Sequence, residues 1–389
     1  MKRQSIFLLF AIYALLACAS YDFTVPFMEC GWLGFTYDYS AGSDAVKLTE
    51  NSIIFVSGDN MADNVILPDK VTYNGQDYRI TSIGTGALTT AQTRNLTIGS
   101  FVENIDAGAI KGNQWIYNII LGNSVKNIEQ EAFENCTSLK SISLSNNIQR
   151  ISQAAFAGCT ALTNLALPDN IKYIASRLCD GCTSLETVIL PSELLSTDPY
   201  CFRGCSNLKN ISLPSTLLEL QESVFEGCVS LESINLPKNI VCMSNAVFKD
   251  CTSLYEITIP NSISSRFYFE MFRGCNNLVT ITLGKNLERI QRNTFYDCNK
   301  LRRIICKNPN VTLPKDSQYG NSFVFDNFDR SKCILEVPNG KKQAYIDAGW
   351  TGFKEIVESP STFDVNNDGQ VDVSDVNDII NVILGKKDM

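Results

Sequence analysis

Between Phe133 and Cys306 the apolar residues return in one fixed frame. Each unit carries an aromatic residue, a cysteine three positions on, a leucine three further, and then an alternating apolar, polar, apolar run. The segments NCTSLKSISL (135–144), GCTSLETVILP (181–191) and GCVSLESINLP (227–237) are versions of one phrase. Cys136, Cys159, Cys182, Cys205, Cys228, Cys251, Cys275 and Cys298 keep a period of 23 residues with a single step of 24. In Leu139, Ile142 and Leu144 the last two are spaced as on a strand, so they point inward while Ser141 and Ser143 point out. Ile151 and Phe156 return the chain to the core through a turn or short helix.

A repeat of this length on L-x-x-L-x-L predicts a leucine-rich-repeat solenoid, with a parallel β-sheet on one face and turns or short helices on the other. One strand per coil is expected. Pro168, Pro191, Pro214, Pro237 and Pro260 each close a strand, where a missing amide donor costs least. Degenerate coils precede the regular ones, with Leu96 and Ile98, then Ile119 and Leu121, at the apolar positions. Their cysteine positions hold Ala91 and Asn113, both small.

The pattern divides the chain further. Residues 21–64 read as a β-rich N-terminal cap with strands near 35–39 and 52–56, residues 65–330 as the repeats, and 331–357 as the far cap. Asn74-Gly75 marks a hairpin turn. Within the far cap, CILEVP (333–338) is a strand, 341–350 a short helix and 353–357 a last strand. Residues 358–363 have linker composition, and 364–389 form a separate unit.

Lys2 and Arg3 precede an apolar run over 6–17, too short to span a bilayer and suited to a secretory signal ending near residue 20. Two endings fit. Leu15-Leu16-Ala17-Cys18 reads as a lipobox, in which Cys18 would carry a lipid anchor. Cleavage before Tyr21 fits too, and the lack of a polar tether before the first strand favours it. The chain is thus expected to be exported, secreted or held at the outer cell surface. Removing residues 1–20 takes away two positive charges and no negative ones, moving the formal net charge from -8 to -10. That balance argues against nucleic acid as a partner, and against membrane contact except through a lipid.

Fifteen cysteines in an exported chain would ordinarily suggest a disulfide framework. Eight of them share one repeat position, which reads instead as a column of small buried apolar side chains, although coils about 4.8 Å apart also bring neighbouring Cα atoms within disulfide range. The Cys179-x-x-Cys182 and Cys201-x-x-x-Cys205 spacings resemble zinc patterns, but the repeat already accounts for Cys182 and Cys205.

The chain has no histidine, which removes Ser-His-Asp and Cys-His catalysis and histidine-ligated metals together. Asn164, Thr187, Ile189, Asn210, Ser233, Asn235, Glu256, Thr258, Thr280, Thr282 and Arg303 face outward from the expected sheet. One of them, Glu256, is acidic. Such a shallow, mostly uncharged surface suits broad contact with a protein or glycan rather than catalysis, so no enzyme activity is expected.

The motif with site chemistry is D-V-N-N-D-G-Q-V-D-V-S-D at 364–375. Asp364, Asn366, Asp368, Asp372 and Asp375 stand at loop positions 1, 3, 5, 9 and 12, with Gly369 at the sharp turn and the Gln370 carbonyl at position 7. That spacing wraps oxygens around one calcium ion. Val376, Ile379, Ile380, Ile383 and Leu384 then make one apolar helical stripe.

The A/x-F-x-x-C-x-x-L-x-x-I-x-L-P units, the approach VTYNGQDYRITSIG (71–84), and the closing Val337-Pro338, Ala344-Tyr345 and FKEIV (353–357) resemble the BspA-like leucine-rich-repeat family of bacterial surface proteins. The resemblance implies an adhesin that binds host-matrix proteins, such as fibronectin or fibrinogen, or other bacteria. The segment 364–385 resembles one half of a type I dockerin. That resemblance implies calcium ligation by the residues above and a cohesin-like or self partner for the helix, with Val373, Ser374, Ile379 and Ile383 at the contact. A dockerin has two such units and this chain has one. The runner-up reading is therefore a component of an extracellular assembly, docked through this helix.

Overall fold

The computed structural model describes the strands at 23–27, 33–39, 45–48 and 53–54, and residues 62–73, 75–263, 269–310, 324–325, 327–360 and 376. Contacts divide the chain into two units, 1–231 and 232–389, and in both the repeats wind as a leucine-rich-repeat parallel β-solenoid.

In the first unit two parallel ladders climb the coils. The first joins Ala62–Ile66, Thr93–Thr97, Asn118–Ile120 and Ser141–Ser143. Its register sets Val65, Leu96, Ile119 and Ile142 side by side, and all four are buried. Asn164–Ala166 and Thr187–Ile189 pair in the same way. Alternation along each strand thus sends the apolar residue inward and its two neighbours outward. A close backbone approach at the corner explains the glycine that ends one of these strands: a Cβ on Gly122 would meet the Gly99 carbonyl.

The second ladder is a departure from the expected single strand per coil. Gln76–Ile83, Asn104–Ile105, Asn127–Ile128 and Arg150–Ile151 pair in parallel, as do Tyr173–Ile174, Ser196–Thr197 and Glu219–Leu220. The return segment is therefore a two-residue strand followed by turns, and the described coils contain no α-helix. The reason is stereochemical. In every regular coil of this unit the backbone turns left-handed twice, at Glu131, Ala154, Arg177, Tyr200 and Ser223, and again at Asn135, Gly158, Gly181, Gly204 and Gly227. A helix cannot run through such residues. In the opposite direction from the expectation, the equivalent outer segment at 209–214 is not a strand, although it carries the same pattern.

The N-terminal strands extend the second ladder. Ala45–Leu48 lies parallel to Gln76–Ile83, and Leu33–Tyr39 is antiparallel to Ala45–Leu48, to Ile53–Ile54 and to Phe23–Phe27. Lys70–Tyr73 folds back on Gln76–Ile83 around Gly75, whose φ of 78° suits the two-residue turn expected there.

The core of this unit is columnar. Phe133 stacks on Phe156 at 5.3 Å, and Phe202 on Phe225 at 6.0 Å. Beside them run the cysteines, buried as the sequence predicts but not merely apolar. The Cys136, Cys159 and Cys182 thiols each donate at 3.1 Å to the carbonyl at the aromatic position of the preceding coil, those of Ile110, Phe133 and Phe156. Cys205 and Cys228 do the same to Cys179 and Phe202 at 3.2 Å. Cysteine is small enough for the column and supplies a donor that alanine lacks.

In the second unit the outer ladder runs through Glu256–Thr258, Thr280–Leu283, Arg303–Cys306, Ile334–Val337 and Glu355–Glu358. Phe248, Phe272, Phe295 and Phe325 stack in sequence at 5.7, 6.2 and 6.0 Å. The far cap closes this column: Trp350 and Phe353 meet the edge of Phe325, each with ring centroids 5.6 Å away. The helix Lys342–Asp347 holds buried Tyr345 against Trp350, and the Tyr345 hydroxyl donates to the Asn308 carbonyl. Strand, helix and strand of the cap thus occur where the sequence places them.

Candidate functional site

The outward side chains of the outer strands form the surface that the sequence singles out, and each unit presents its own. In the first unit, two columns stand on that face. One begins with an amide ladder: Asn95 Nδ2 donates to Asn64 Oδ1 at 3.0 Å, Asn118 Nδ2 to Asn95 Oδ1 at 2.7 Å, and Ser141 Oγ to Asn118 Oδ1 at 2.7 Å. Asn164 and Thr187, paired across adjacent strands, and Asn210 carry uncharged polar groups in the same repeat position, all exposed. The ladder spends one N–H and one oxygen of Asn95 and of Asn118 on its neighbours.

The second column is apolar or small. Ile66, Thr97, Ile120 and Ser143 are in register, as are Ala166 and Ile189. Ile66 is 71% exposed, Ile120 56% and Ile189 61%. Large aliphatic side chains thus stand in water beside a row of amides. The sequence reading named Ile189 but missed Ile66 and Ile120. The I-x-L-P frame could have found both: Val65-Ile66-Leu67-Pro68 and Ile119-Ile120-Leu121-Gly122 put each isoleucine at the outward x.

In the second unit Ser233, Asn235, Glu256, Thr258 and Arg303 are exposed, and Thr280 and Thr282 are half-buried. Glu256 pairs in register with Thr280, and Thr280 with Arg303. Ser233 and Asn235 lie on an irregular segment, not on a strand. Arg303 is engaged by Glu336, which also accepts from Ser359 Oγ at 2.7 Å. Burial alone would raise the Glu336 carboxyl, but the Arg303 guanidinium and the Ser359 hydroxyl outweigh it and hold the group below its ordinary value. Arg303 is thus part of a charge pair built into the sheet. This face is more charged and less apolar than that of the first unit.

Nucleophilic chemistry finds no support in the thiols. Burial pushes Cys136 and Cys228 up to about 12, and a buried thiol so far from ionisation is inert. Elsewhere in the first unit, buried Asp180 accepts from Arg177 Nε at 2.9 Å and from Arg203 Nε and Nη2 at 2.9 and 2.7 Å. Two guanidiniums on one carboxylate bind adjacent coils together.

Cys18, the calcium-loop residues Asp364, Asn366, Asp368, Gln370, Asp372 and Asp375, and the helix-contact residues Val373, Ser374, Ile379 and Ile383 lie outside the described residues. Val376, the residue following the loop, is helical and 53% exposed.

The repeat family described as BspA type Leucine rich repeat region matches in six copies, over residues 81–205, 173–302 and 267–342. Among solved structures, a leucine-rich repeat protein from Bacteroides ovatus is 23% identical with a TM-score of 0.62, over 86% of this chain and 88% of that one. A leucine rich cell surface protein from Faecalibacterium prausnitzii is 17% identical with a TM-score of 0.42, over 89% and 97% of the two chains. The pneumococcal vaccine antigen PcpA is 16% identical with a TM-score of 0.47, over 88% and 100%. At these identities the first likeness is one of fold. No curated protein sequence matches the chain.

Proposed function

The chain belongs to the BspA type leucine-rich-repeat family, and from this we propose that it is a non-enzymatic, exported binding protein that meets an extracellular protein or glycan through the outer sheet of its first unit. The observation that carries the reading is the column of exposed Ile66, Ile120 and Ile189 beside the asparagine ladder. Exposed isoleucines flanked by small or polar residues offer a partner apolar anchors, with the asparagines beside them to fix its orientation. The shallow, uncharged surface suits a macromolecule rather than a small substrate.

The test is binding of the purified chain to immobilised fibronectin, fibrinogen and a glycan panel, with Ile120→Lys and Ile189→Lys compared against the wild type. A charge at an apolar anchor costs about 2 kcal/mol or more, so Kd is expected to rise roughly thirtyfold. Tyr173→Lys, on the second ladder, is the control and leaves binding intact. Binding unchanged in both isoleucine variants, or polysaccharide turnover abolished by one carboxylate substitution, would overturn the proposal.

A calcium ion in the tail belongs to the same reading. Asp364, Asn366, Asp368, the Gln370 carbonyl, Asp372 and Asp375 carry the oxygens at calcium-loop spacing, and the helical Val376 that follows is in keeping with a loop-helix unit. Calorimetric titration is expected to show one calcium per chain. Asp364→Ala should weaken it by about a hundredfold or more, since it removes a charged ligand from the first position of a loop whose affinity is set by ligand charge and number. Equal heats from wild type and variant would remove calcium from the account. The second reading, assembly through a half-dockerin helix with Val373, Ser374, Ile379 and Ile383 at the contact, rests on the same segment. It requires that deletion of residues 358–389 abolish partner recruitment while binding to the sheet survives.

A further inference from the structure

The aromatic column of the first unit is interrupted at one position. Where Phe156 and Phe202 stand in the flanking coils, this coil has Cys179, three residues before the column cysteine Cys182. Both are fully buried. The Cys182 amide donates to the Cys179 carbonyl at 3.1 Å, which makes the four residues one closed turn. Such a turn holds its first and fourth Cα atoms within about 7 Å, and disulfides span Cα separations of about 4.4–6.8 Å. Both side chains enter the same core, and the Cys182 thiol beside it, together with burial, holds the Cys179 thiol well above its ordinary range. Cys201 faces elsewhere, donating to the Asp198 carbonyl at 2.7 Å. Among the described residues no three histidine, cysteine or carboxylate groups converge on one point, so the arrangement is a dithiol and not a metal cage.

We propose that Cys179 and Cys182 are an oxidation site, joined as a disulfide within one turn when the chain folds in an oxidising compartment. The thiolate of Cys182 attacks a disulfide of an exported oxidoreductase or a small-molecule disulfide, expelling one thiolate. Cys179, deprotonated in turn, attacks the mixed disulfide and releases the second. Two protein thiols lose two electrons and two protons, and the acceptor disulfide becomes two thiols. The exchange precedes closure of the coil, because burial suppresses the thiolate that the reaction needs. The thiol donation from Cys182 to the Phe156 carbonyl is given up, but that carbonyl keeps the Cys159 amide at 3.1 Å. The column thiols of the neighbouring coils, Cys159 and Cys205, stay reduced, because the residue three before each is a phenylalanine and offers no second thiol within the turn. In the cell the bond depends on the export proposed above; its chemistry does not.

The test therefore refolds the reduced, denatured full chain in a mixture of oxidised and reduced glutathione. Free thiols are blocked under denaturing conditions, the protein is reduced and labelled with a second reagent, and trypsin is added. Cleavage after Arg177 and Arg203 gives one peptide carrying Cys179, Cys182 and Cys201. The second label is expected on Cys179 and Cys182 and the first on Cys201, Cys159 and Cys205. The first label on all five, or pairing between coils such as Cys159 with Cys182, overturns the proposal. Cys179→Phe, which restores the residue type of the column, and Cys179→Ala should both return Cys182 to the first label. Persistence of the second label on Cys182 in either folded variant would also overturn it.

Discussion

Replacing Phe272 by alanine is expected to destabilise the second unit by about 3–5 kcal/mol, the range for removing a fully buried phenylalanine. Its ring lies between Phe248 and Phe295, at centroid distances of 5.7 and 6.2 Å and nearly parallel to both. All three are completely buried. Two features put the cost at the upper end. The neighbouring rings are fixed by their own coils, whose spacing is set by the backbone ladder, so the void cannot collapse. The coil also turns left-handed at Glu270, two residues before the ring, a conformation that costs a non-glycine residue about 1–2 kcal/mol and is sustained by the packing around it. Urea denaturation followed by circular dichroism should show the transition of the second unit moving to lower urea. Phe272→Leu should move it much less, and the exposed Asn276→Ala hardly at all. A Phe272→Ala midpoint equal to that of Asn276→Ala would mean that the buried ring contributes nothing to the stability of the second unit.

The period alone makes such a column legible in the sequence, since the aromatic residues three before every column cysteine but Cys182 fall one above another in the stack. It also reveals the coils, the hairpin at Asn74-Gly75, and the strand, helix and strand of the far cap, because each rests on local chemistry. What stays hidden depends on neighbours. Glu131, Ala154, Arg177 and Tyr200 share no residue type, yet all are left-handed; the constraint comes from the stacked coil, so no propensity betrays it. The second ladder has one inward residue per strand, such as Ile128 or Ile151, and one residue has no period. At the candidate surface Ile66 and Ile120 sit within apolar runs, where composition hides an outward position until the register of the repeat is applied. Ser233 and Asn235 show the converse, since they keep the pattern on a segment that is not a strand.

Asn113 is where sequence and structure part most instructively, and its replacement should have the other large effect. By position it is the cysteine of a degenerate coil, and size alone accounts for it in the sequence. In the fold it is completely buried and uses its whole amide. Nδ2 donates to the Leu88 and Ala91 carbonyls, both at 2.9 Å, and Oδ1 accepts from the Trp115 and Ile116 amides at 2.8 and 3.0 Å. Leu88 holds the aromatic position of the preceding coil, so the first of these bonds is the one the column cysteines make with their thiols. The fourth replaces the bond by which Leu139 and Leu162 close onto the carbonyls of Cys136 and Cys159. Asn113→Leu lets Ile116 close onto the backbone but takes the side-chain partner from the Trp115 amide and from the Leu88 and Ala91 carbonyls, and at about 1–3 kcal/mol for each polar group left unmatched the expected loss is about 3 kcal/mol. Asn113→Cys keeps the donation to Leu88 and lets Ile116 revert to the backbone closure of its neighbours, so it should cost about 1 kcal/mol, the size of one ordinary hydrogen bond. Asn113→Asp keeps the acceptor for the Trp115 and Ile116 amides but sets a second, charged oxygen against the Leu88 and Ala91 carbonyls in the core, so it should be the least stable of the three. Denaturation midpoints in the order wild type, Cys, Leu, Asp would show that the column is selected for a hydrogen bond passed to the preceding coil. Leucine at least as stable as cysteine would show that volume alone governs the position.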